Sequence, residues 1–334
     1  MFPFVIQLQC YKIKVRCKIQ GKAETIHALS FFMTAKIILN PYSNRWNARA
    51  RWPQAELALR AAGVDFELAV SKGLGDITRF AEQAARDGFS PIVAAGGDGT
   101  IGEVVNGLVR AVAQPDGPLA TLGIIPLGTA NDFAEHALGL PMDLTAAAQV
   151  IAAGRTRLID LGQVNGRYFI NNTALGLEPY ITLIQDRIGW LKGVPRYLLA
   201  AIRGILDRPS WNAEIEWDGG SYAGPISLIY IGNGGRSGGV FFMAPHADPT
   251  DGKLTIVHGY RATRLGMFQL LPRAMKPGAG NYVESPGVIE FHCDWLRVRL
   301  DRPSPAHADG DVFTTSTQQL NYRIYRARVP VLSR

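Results

Sequence analysis

Residues Pro91 to Gly107 read PIVAAGGDGTIGEVVNG: an apolar run, a glycine-rich turn with one carboxylate, and a helix opening at the turn. Free backbone N–H groups at such a turn, backed by the positive end of a helix dipole, suit a phosphate. The lysine of the commoner G-x-x-x-x-G-K-[ST] loop is missing, and Asp98 brings negative charge to the turn. A carboxylate there repels a polyphosphate unless a metal ion or a donor hydroxyl stands between them. The chemistry indicated is phosphoryl transfer on a phosphate loop of a different lineage.

A second segment repeats the design. In Gly123 to Ala134, GIIPLGTANDFA, an apolar strand enters a Gly128-Thr129 turn, and Asn131 or Asp132 can cap the helix that follows. Two glycine turns at neighbouring strand ends could grip one nucleotide from two sides, with the Thr129 hydroxyl free for a phosphate or a ribose. Further on, Asp248 and Asp251 bracket a turn. Two carboxylates three residues apart, with a carbonyl such as that of Lys253, can hold a hard cation, and an ion-free Asp-Gly turn explains the same residues. The histidines at 136, 246, 258, 292 and 307 are scattered without zinc-site spacing, and His307 draws notice only as a neighbour of Asp309.

These loops need elements to hold them. From Ala35 to Gln163, β-type runs at Lys36–Asn40, Phe66–Val70, Ile92–Ala95, Leu122–Pro126 and Leu158–Val164 alternate with helices. The helices are expected at Arg49–Ala62, Ile77–Asp87, Ile101–Ala113, Asp132–Leu138 and Leu144–Ala153. Such alternation predicts an α/β fold with a doubly wound, mostly parallel sheet and ligands at the C-terminal strand ends. After Gly166 the texture changes to a helical stretch over Tyr180–Leu206, a helix over Thr263–Met275, and short strand candidates split by Gly, Pro and Asp turns. That pattern predicts a second, antiparallel β-domain, with a cleft between the two. The expected limits are 1–32 for an N-terminal extension, 33–164 for the nucleotide-binding domain, 165–316 for the β-sandwich, and 317–334 for a segment returning to the first domain.

With 334 residues, 47% hydrophobic and 19% charged, the chain has globular composition for two domains. No apolar run approaches the ~20 residues of a membrane span. The net charge of +7 is concentrated at the start, where residues 1–32 hold Lys12, Lys14, Arg16, Lys18 and Lys22 against Glu24, so a nucleic-acid partner is not expected. This segment also carries Cys10 and Cys17 and does not read as a signal peptide. Met33, directly before the first strand, is read as the functional start and residues 1–32 as an extension or an over-called start codon. The alternative is an extra edge strand over Tyr11–Ile19, whose basic and apolar residues alternate. Without the segment Cys293 is the single thiol, which fits a reducing cytoplasm.

From about Ile37 to Val312 the chain resembles the diacylglycerol kinase catalytic family, most closely its bacterial lipid-kinase branch. The resemblance is carried by Asn40-Pro41-Tyr42-Ser43, by Gly96 to Thr100 with Glu103 and Asn106-Gly107, and by Gly128 to Ala134. It continues through Asp160-Leu161-Gly162, Tyr168 to Asn171, Ala244 to Gly252, and Asp309-Gly310-Asp311. GGDGT alone is shared with NAD kinases; the ordered set is far more specific. The resemblance implies an ATP- and Mg²⁺-dependent kinase in which Gly96, Gly97, Asp98, Gly99, Thr100, Ile101 and Gly102 hold the phosphates, with Gly128, Thr129 and Asn131 beside them. Asn40 matches the first turn, and Ser71 falls where the family commonly has a threonine near the nucleotide. Asp309 matches the aspartate that deprotonates the acceptor hydroxyl. Asp311 stands where the family has glutamate, which leaves open which carboxylate is the base. Asp98 and Asp160 would hold Mg²⁺ and water against the phosphates, although Asp160 also reads as a strand-end residue meeting backbone N–H groups. Asp248, Asp251 and Lys253 match a second, structural Mg²⁺ site.

The implied reaction is transfer of the ATP γ-phosphoryl group to a hydroxyl of diacylglycerol or a related lipid. The implied location is cytoplasmic, peripheral to the inner face of the membrane; the oligomeric state stays open, a homodimer included. The stretch Ile181–Leu206, with Ile184, Ile188, Trp190, Leu191, Val194, Tyr197, Leu198 and Leu199 among Arg187, Lys192, Arg196 and Arg203, fits a packed helix or a lipid-facing one. A kinase of a soluble acceptor is the second reading, opposed by GTANDFA. A non-catalytic nucleotide-binding module is the third, opposed by the intact Asp98 and Asp309.

Overall fold

Short apolar runs separated by helices build the first lobe. In the computed structural model, which describes residues 34–334 apart from 45, 115–116, 192 and 208, strands β1 (Ala35–Leu39), β2 (Phe66–Val70), β3 (Ile92–Gly96) and β4 (Leu122–Pro126) run parallel. Their order is β2-β1-β3-β4. The expectations for residues 1–32, the Tyr11–Ile19 strand and the start at Met33 lie outside the described residues. Every residue of β3 and β4 is buried, because helices cover both faces. Alternate residues serve the two faces. Ile37, Leu39, Val93, Ala95 and Ile125 meet α1 (Asn47–Ala61) and α4 (Leu144–Ala153). Ile38, Ile92, Ala94 and Ile124 meet α2 (Asp76–Arg86) and α3 (Asp98–Ala111). The helix expected over Asp132–Leu138 is a single π-helical turn, Phe133–Ala137.

The fifth run does not join this sheet in parallel. Strand β5 (Thr156–Val164) closes a two-residue hairpin at Asn165-Gly166, both at positive φ, with β6 (Arg167–Phe169). It also pairs antiparallel with the last strand of the chain, Asp311–Leu332, whose Val331 lies parallel to Leu122 of β4. An apolar run carries no mark of its pairing direction, and this partner lies about 160 residues away in sequence.

In the second lobe β7 (Asn172–Gly176) is followed by α5 (Leu177–Arg187) and α6 (Gly193–Asp207), so the single helical stretch read from the sequence is two helices. Gly189, Gly193 at φ 62°, and Pro195 mark the break. Strands β8 (Trp211–Trp217), β9 (Gly220–Ile226) and β10 (Leu228–Gly232) lead to a small hairpin, β11 (Arg236–Ser237) with β12 (Phe241–Phe242). Then come β13 (Leu254–Gly259), α7 (Arg264–Ala274), β14 (Val288–Cys293), β15 (Trp295–Ala308) and β16 (Asp311–Leu332).

Strand β15 pairs with β8 over Leu296–Leu300 and with β7 over Ala306–Ala308, changing layers through a series of register shifts. One layer's Leu175, Ile229, Ile231 and Ile256 face Ile215, Val298 and Leu320 of the other. On its outer face the β7-β10-β13 layer packs Ala174, Tyr230 and Val257 under α5, α6 and α7. The protein is thus α/β, a mostly parallel sheet joined to an antiparallel β-sandwich, as expected.

Candidate active site

The two glycine turns touch. Hydrogen-bonded neighbours β3 and β4 place them side by side, and a Cβ on Gly128 would lie 2.4 Å from the Cα of Gly97. Backbone against backbone cannot yield, so only glycine fits. A Cβ on Gly96 would stand 2.3 Å from the Thr100 hydroxyl. Thr100 and Ile101, 2% and 1% exposed, turn inward. The Thr100 hydroxyl receives the Asn40 amide at 3.0 Å and meets Ser43 Oγ at 3.2 Å, which ties the first-strand turn to α3. Their side chains therefore brace the loop. What faces outward is the N-terminus of α3, where the N–H groups of Gly99 and Thr100 find no hydrogen-bond partner among the described residues.

Asp98 opens α3 and reaches across to the second segment, accepting the N–H of Asp132 at 3.1 Å and of Phe133 at 2.9 Å. It, and neither of the residues expected to do so, caps the turn after β4. Asn131, at φ 52°, instead accepts the Gly128 N–H at 3.0 Å and donates to the Gly128 carbonyl. Asp132 points to the other lobe, accepting the Gly239 N–H at 2.9 Å and standing 3.1 Å from Arg236 Nε. Burial and the Asp98 charge push its pKa up to about 7. Burial likewise raises that of Asp98. The exposed Thr129 donates its hydroxyl to Asn44 at 3.1 Å.

Asp309 comes from the second lobe. Ala308 pairs with Asp311, so Asp309-Gly310 is a two-residue loop with both φ positive, 48° and 82°. The Asp309 carboxylate, 5% exposed, accepts the N–H groups of Ile170 (2.9 Å), Asn171 (2.8 Å) and Asn172 (3.1 Å). It lies over α3, where a Cβ on Gly102 would meet its Oδ2 at 2.7 Å. Burial pushes its pKa up to about 6 against those N–H bonds, with the Asp98 charge adding to the rise. Asp98 and Asp309 therefore converge on one helical turn. Asp311 faces the opposite way, exposed and paired with Arg167 at 2.6 Å.

The remaining candidates stand elsewhere. Asp160, 1% exposed, gives its two oxygens to the N–H groups of Gly252 and Ala327, each at 2.6 Å. These contacts join β5, the 248–252 loop and the bend of β16, in place of the expected metal contact beside Asp98. In that loop Asp248 accepts the Thr250 N–H and hydroxyl and Asp251 accepts the Lys253 N–H, the bonds of a turn. Lys253 Nζ pairs with Asp294 at 2.5 Å. Among the described residues no three His, Cys, Asp or Glu side chains gather as a metal cage. The buried Ser71 hydroxyl turns onto the Gly73 carbonyl at 3.2 Å.

A cleft of about 930 Å³ runs between the lobes, from Asn44, Trp46 and Thr129 to Arg236, Gly239 and Gly310. At Glu178 and Tyr197 it meets an apolar cavity walled by α5, α6 and α7. The sequence reading passed over Glu178 and Arg236. An acid directly after the buried run Ala174–Leu177, and an arginine following Gly234-Gly235, were their only signals. His307, notable in the sequence only as a neighbour of Asp309, is 1% exposed and pairs with Glu178.

Carboxylates from two lobes converging on the first turn of α3, whose N-terminal N–H groups are open, form a site suited to phosphoryl transfer. The sequence matches the diacylglycerol kinase catalytic domain over residues 34–164. It matches the YegS C-terminal NAD kinase beta sandwich-like domain over residues 172–327. The diacylglycerol kinase of Bacillus subtilis (strain 168) is 32% identical over 279 residues, 83% of this chain and 89% of the relative. That of Staphylococcus aureus (strain MRSA252) is 30% identical over 278 residues, 83% and 85% of the two chains. In fold, a diacylglycerol kinase from Bacillus anthracis str. Sterne superposes with a TM-score of 0.72 at 23% identity, covering 91% of this chain and 98% of that one. The chain belongs to the diacylglycerol kinase family, phosphotransferases with an alcohol group as acceptor.

Proposed function

We propose that the protein transfers the γ-phosphoryl group of ATP to a hydroxyl of diacylglycerol or a related lipid. The observation that carries this reading is the meeting of Asp98 and Asp309, one from each lobe, at the first turn of α3. The open N–H groups of Gly99 and Thr100 suit the triphosphate, and the exposed Thr129 hydroxyl would have to leave Asn44 to join them. An ionised carboxylate offers about four acceptor positions, and the three N–H bonds to Asp309 leave one for the acceptor hydroxyl. Asp309 takes that proton as the alcohol oxygen bonds to the γ-phosphorus and the bond from that phosphorus to the β-phosphate oxygen breaks, releasing ADP. A carboxylate with a pKa of about 6 is charged at neutral pH and basic enough to hold the proton it receives.

Asp98 and Asp132 fit a divalent ion. Both are crowded carboxylates with raised pKa; Asp98 also accepts two N–H groups, and Asp132 Oδ1 makes no hydrogen bond but faces Arg236 Nε at 3.1 Å. Mg²⁺ commonly takes one or two carboxylates plus phosphate oxygens and water, so a three-carboxylate cage is not required. When bound it neutralises charge on the transferring phosphate. Asp248 and Asp251, with the Lys253 carbonyl, remain the proposed second Mg²⁺ position.

The apolar cavity fits the hydrocarbon of the acceptor. It holds about 90 Å³, under the roughly 300 Å³ of small-molecule sites, so taking up a chain would require the flanking helices to part. Trp190, in the connection between α5 and α6, and Leu265, in the first turn of α7, are 76% and 69% exposed, with Arg187, Arg264 and Lys276 at or next to the ends of α5 and α7. An apolar and basic face of this kind suits a cytoplasmic enzyme that docks on the inner membrane face to meet its lipid. The test is transfer of label from γ-labelled ATP to lipid extracts in mixed micelles with Mg²⁺, the product identified by mass. ATP turnover that never requires a lipid, or none at all, overturns the reading.

A further inference from the structure

Glu178 lines both the interlobe cleft and the apolar cavity, which makes it the polar group an entering lipid meets where head and chain divide. It sits in the first turn of α5, 4% exposed. Its Oε1 accepts the Ser237 hydroxyl at 3.1 Å and the Tyr197 hydroxyl at 3.3 Å, and its Oε2 pairs with Nε2 of His307. His307 is two residues before Asp309 on β15 and is held there by its carbonyl, which accepts the Thr173 hydroxyl at 2.6 Å. The pair thus stands beside the proposed base.

Resting on the lipid-kinase reading, we propose that the Glu178–His307 pair sets acceptor choice, admitting an uncharged lipid alcohol and rejecting one with an ammonium group next to its hydroxyl. A lone buried carboxylate at this junction would attract such an amine, because an unpaired buried charge is costly. Here both carboxylate oxygens are already engaged. Burial acts to raise the pKa of Glu178, but His307, Ser237 and Tyr197 outweigh it and hold the group below its ordinary value. A second cation entering the cleft gains little from a carboxylate whose oxygens are already engaged by His307, Ser237 and Tyr197. A neutral glycerol head brings no charge and can exchange hydrogen bonds with the Ser237 and Tyr197 hydroxyls.

The test compares kcat/KM for diacylglycerol and for sphingosine, a 2-amino alcohol, in mixed micelles with labelled ATP. Wild type is expected to favour diacylglycerol by at least about tenfold, and His307→Gln, which keeps a donor but removes the imidazole partner of Glu178, to narrow that ratio by about tenfold. Adding Glu178→Gln to His307→Gln is expected to restore the wild-type ratio, and Glu178→Gln alone to leave it. That single variant also serves should His307→Gln not fold, since a rise in relative sphingosine turnover in Glu178→Gln overturns the proposal. An active His307→Gln enzyme with an unchanged ratio overturns the proposal and leaves the kinase reading standing. A wild type that phosphorylates neither lipid overturns both.

Discussion

A methyl group on Gly102 would stand 2.7 Å from Oδ2 of Asp309, so α3 of one lobe and the β15–β16 turn of the other meet without room for a side chain. Gly102→Ala is expected to push the Asp309 carboxylate aside while the fold persists. Misplacement of a reacting group by about 1 Å costs on the order of a hundredfold in rate. Steady-state kinetics should therefore show a large fall in kcat with little change in the KM for ATP.

Asp309→Asn should lower turnover by at least about a hundredfold, as loss of a general base does. It also costs stability, since the amide NH₂ must face one of the three N–H donors, a mismatch worth about 1–3 kcal/mol. The sign of the pH dependence follows from its raised pKa, about 6 against 3.8. Protonated Asp309 is favoured in the folded state, so its contribution is full below 3.8 and lost as pH rises through about 6. Urea denaturation should show the gap between wild type and Asp309→Asn narrowing from pH 4 to pH 7. Activity runs the other way, falling as pH drops through about 6.

Arg236 stands 3.1 Å from Asp132 across the lobes and holds down a pKa already at about 7. Removing the cation in Arg236→Ala raises it further. The acid limb of the kcat/KM profile is expected to move to higher pH, and an unmoved limb would separate Asp132 from the reaction.

Asp160→Ala strips the acceptor from the buried Gly252 N–H, at about 1–3 kcal/mol, and from the part-buried Ala327 N–H, at less. A thermal melt should record a large drop in Tm, with nucleotide affinity measured by calorimetry nearly unchanged. Loss of affinity at preserved stability would return Asp160 to the phosphate site.

The glycine turns were legible because their chemistry is local. A strand, a Gly-Gly turn and a helix start fix free N–H groups within a few residues, so Gly96 to Gly99 and Gly128-Thr129 carry their meaning in order. The sandwich was legible too, through the short strands and turn residues after Gly166. The direction of β5 was not, because an apolar run pairs with whatever strand the fold supplies.

The sequence by itself determined where backbone bends, which faces are apolar and which carboxylates stand at turns. Only the tertiary structure decided which of those carboxylates act together. Asp98, Asp160, Asp309 and Asp311 are equivalent on paper. In the fold Asp309 is buried over Gly102 beside Asp98, Asp160 joins the N–H groups of Gly252 and Ala327, and Asp311 is in solvent with Arg167. Burial and the charges of residues distant in sequence set the pKa of a carboxylate, and both exist only once the chain has closed on itself.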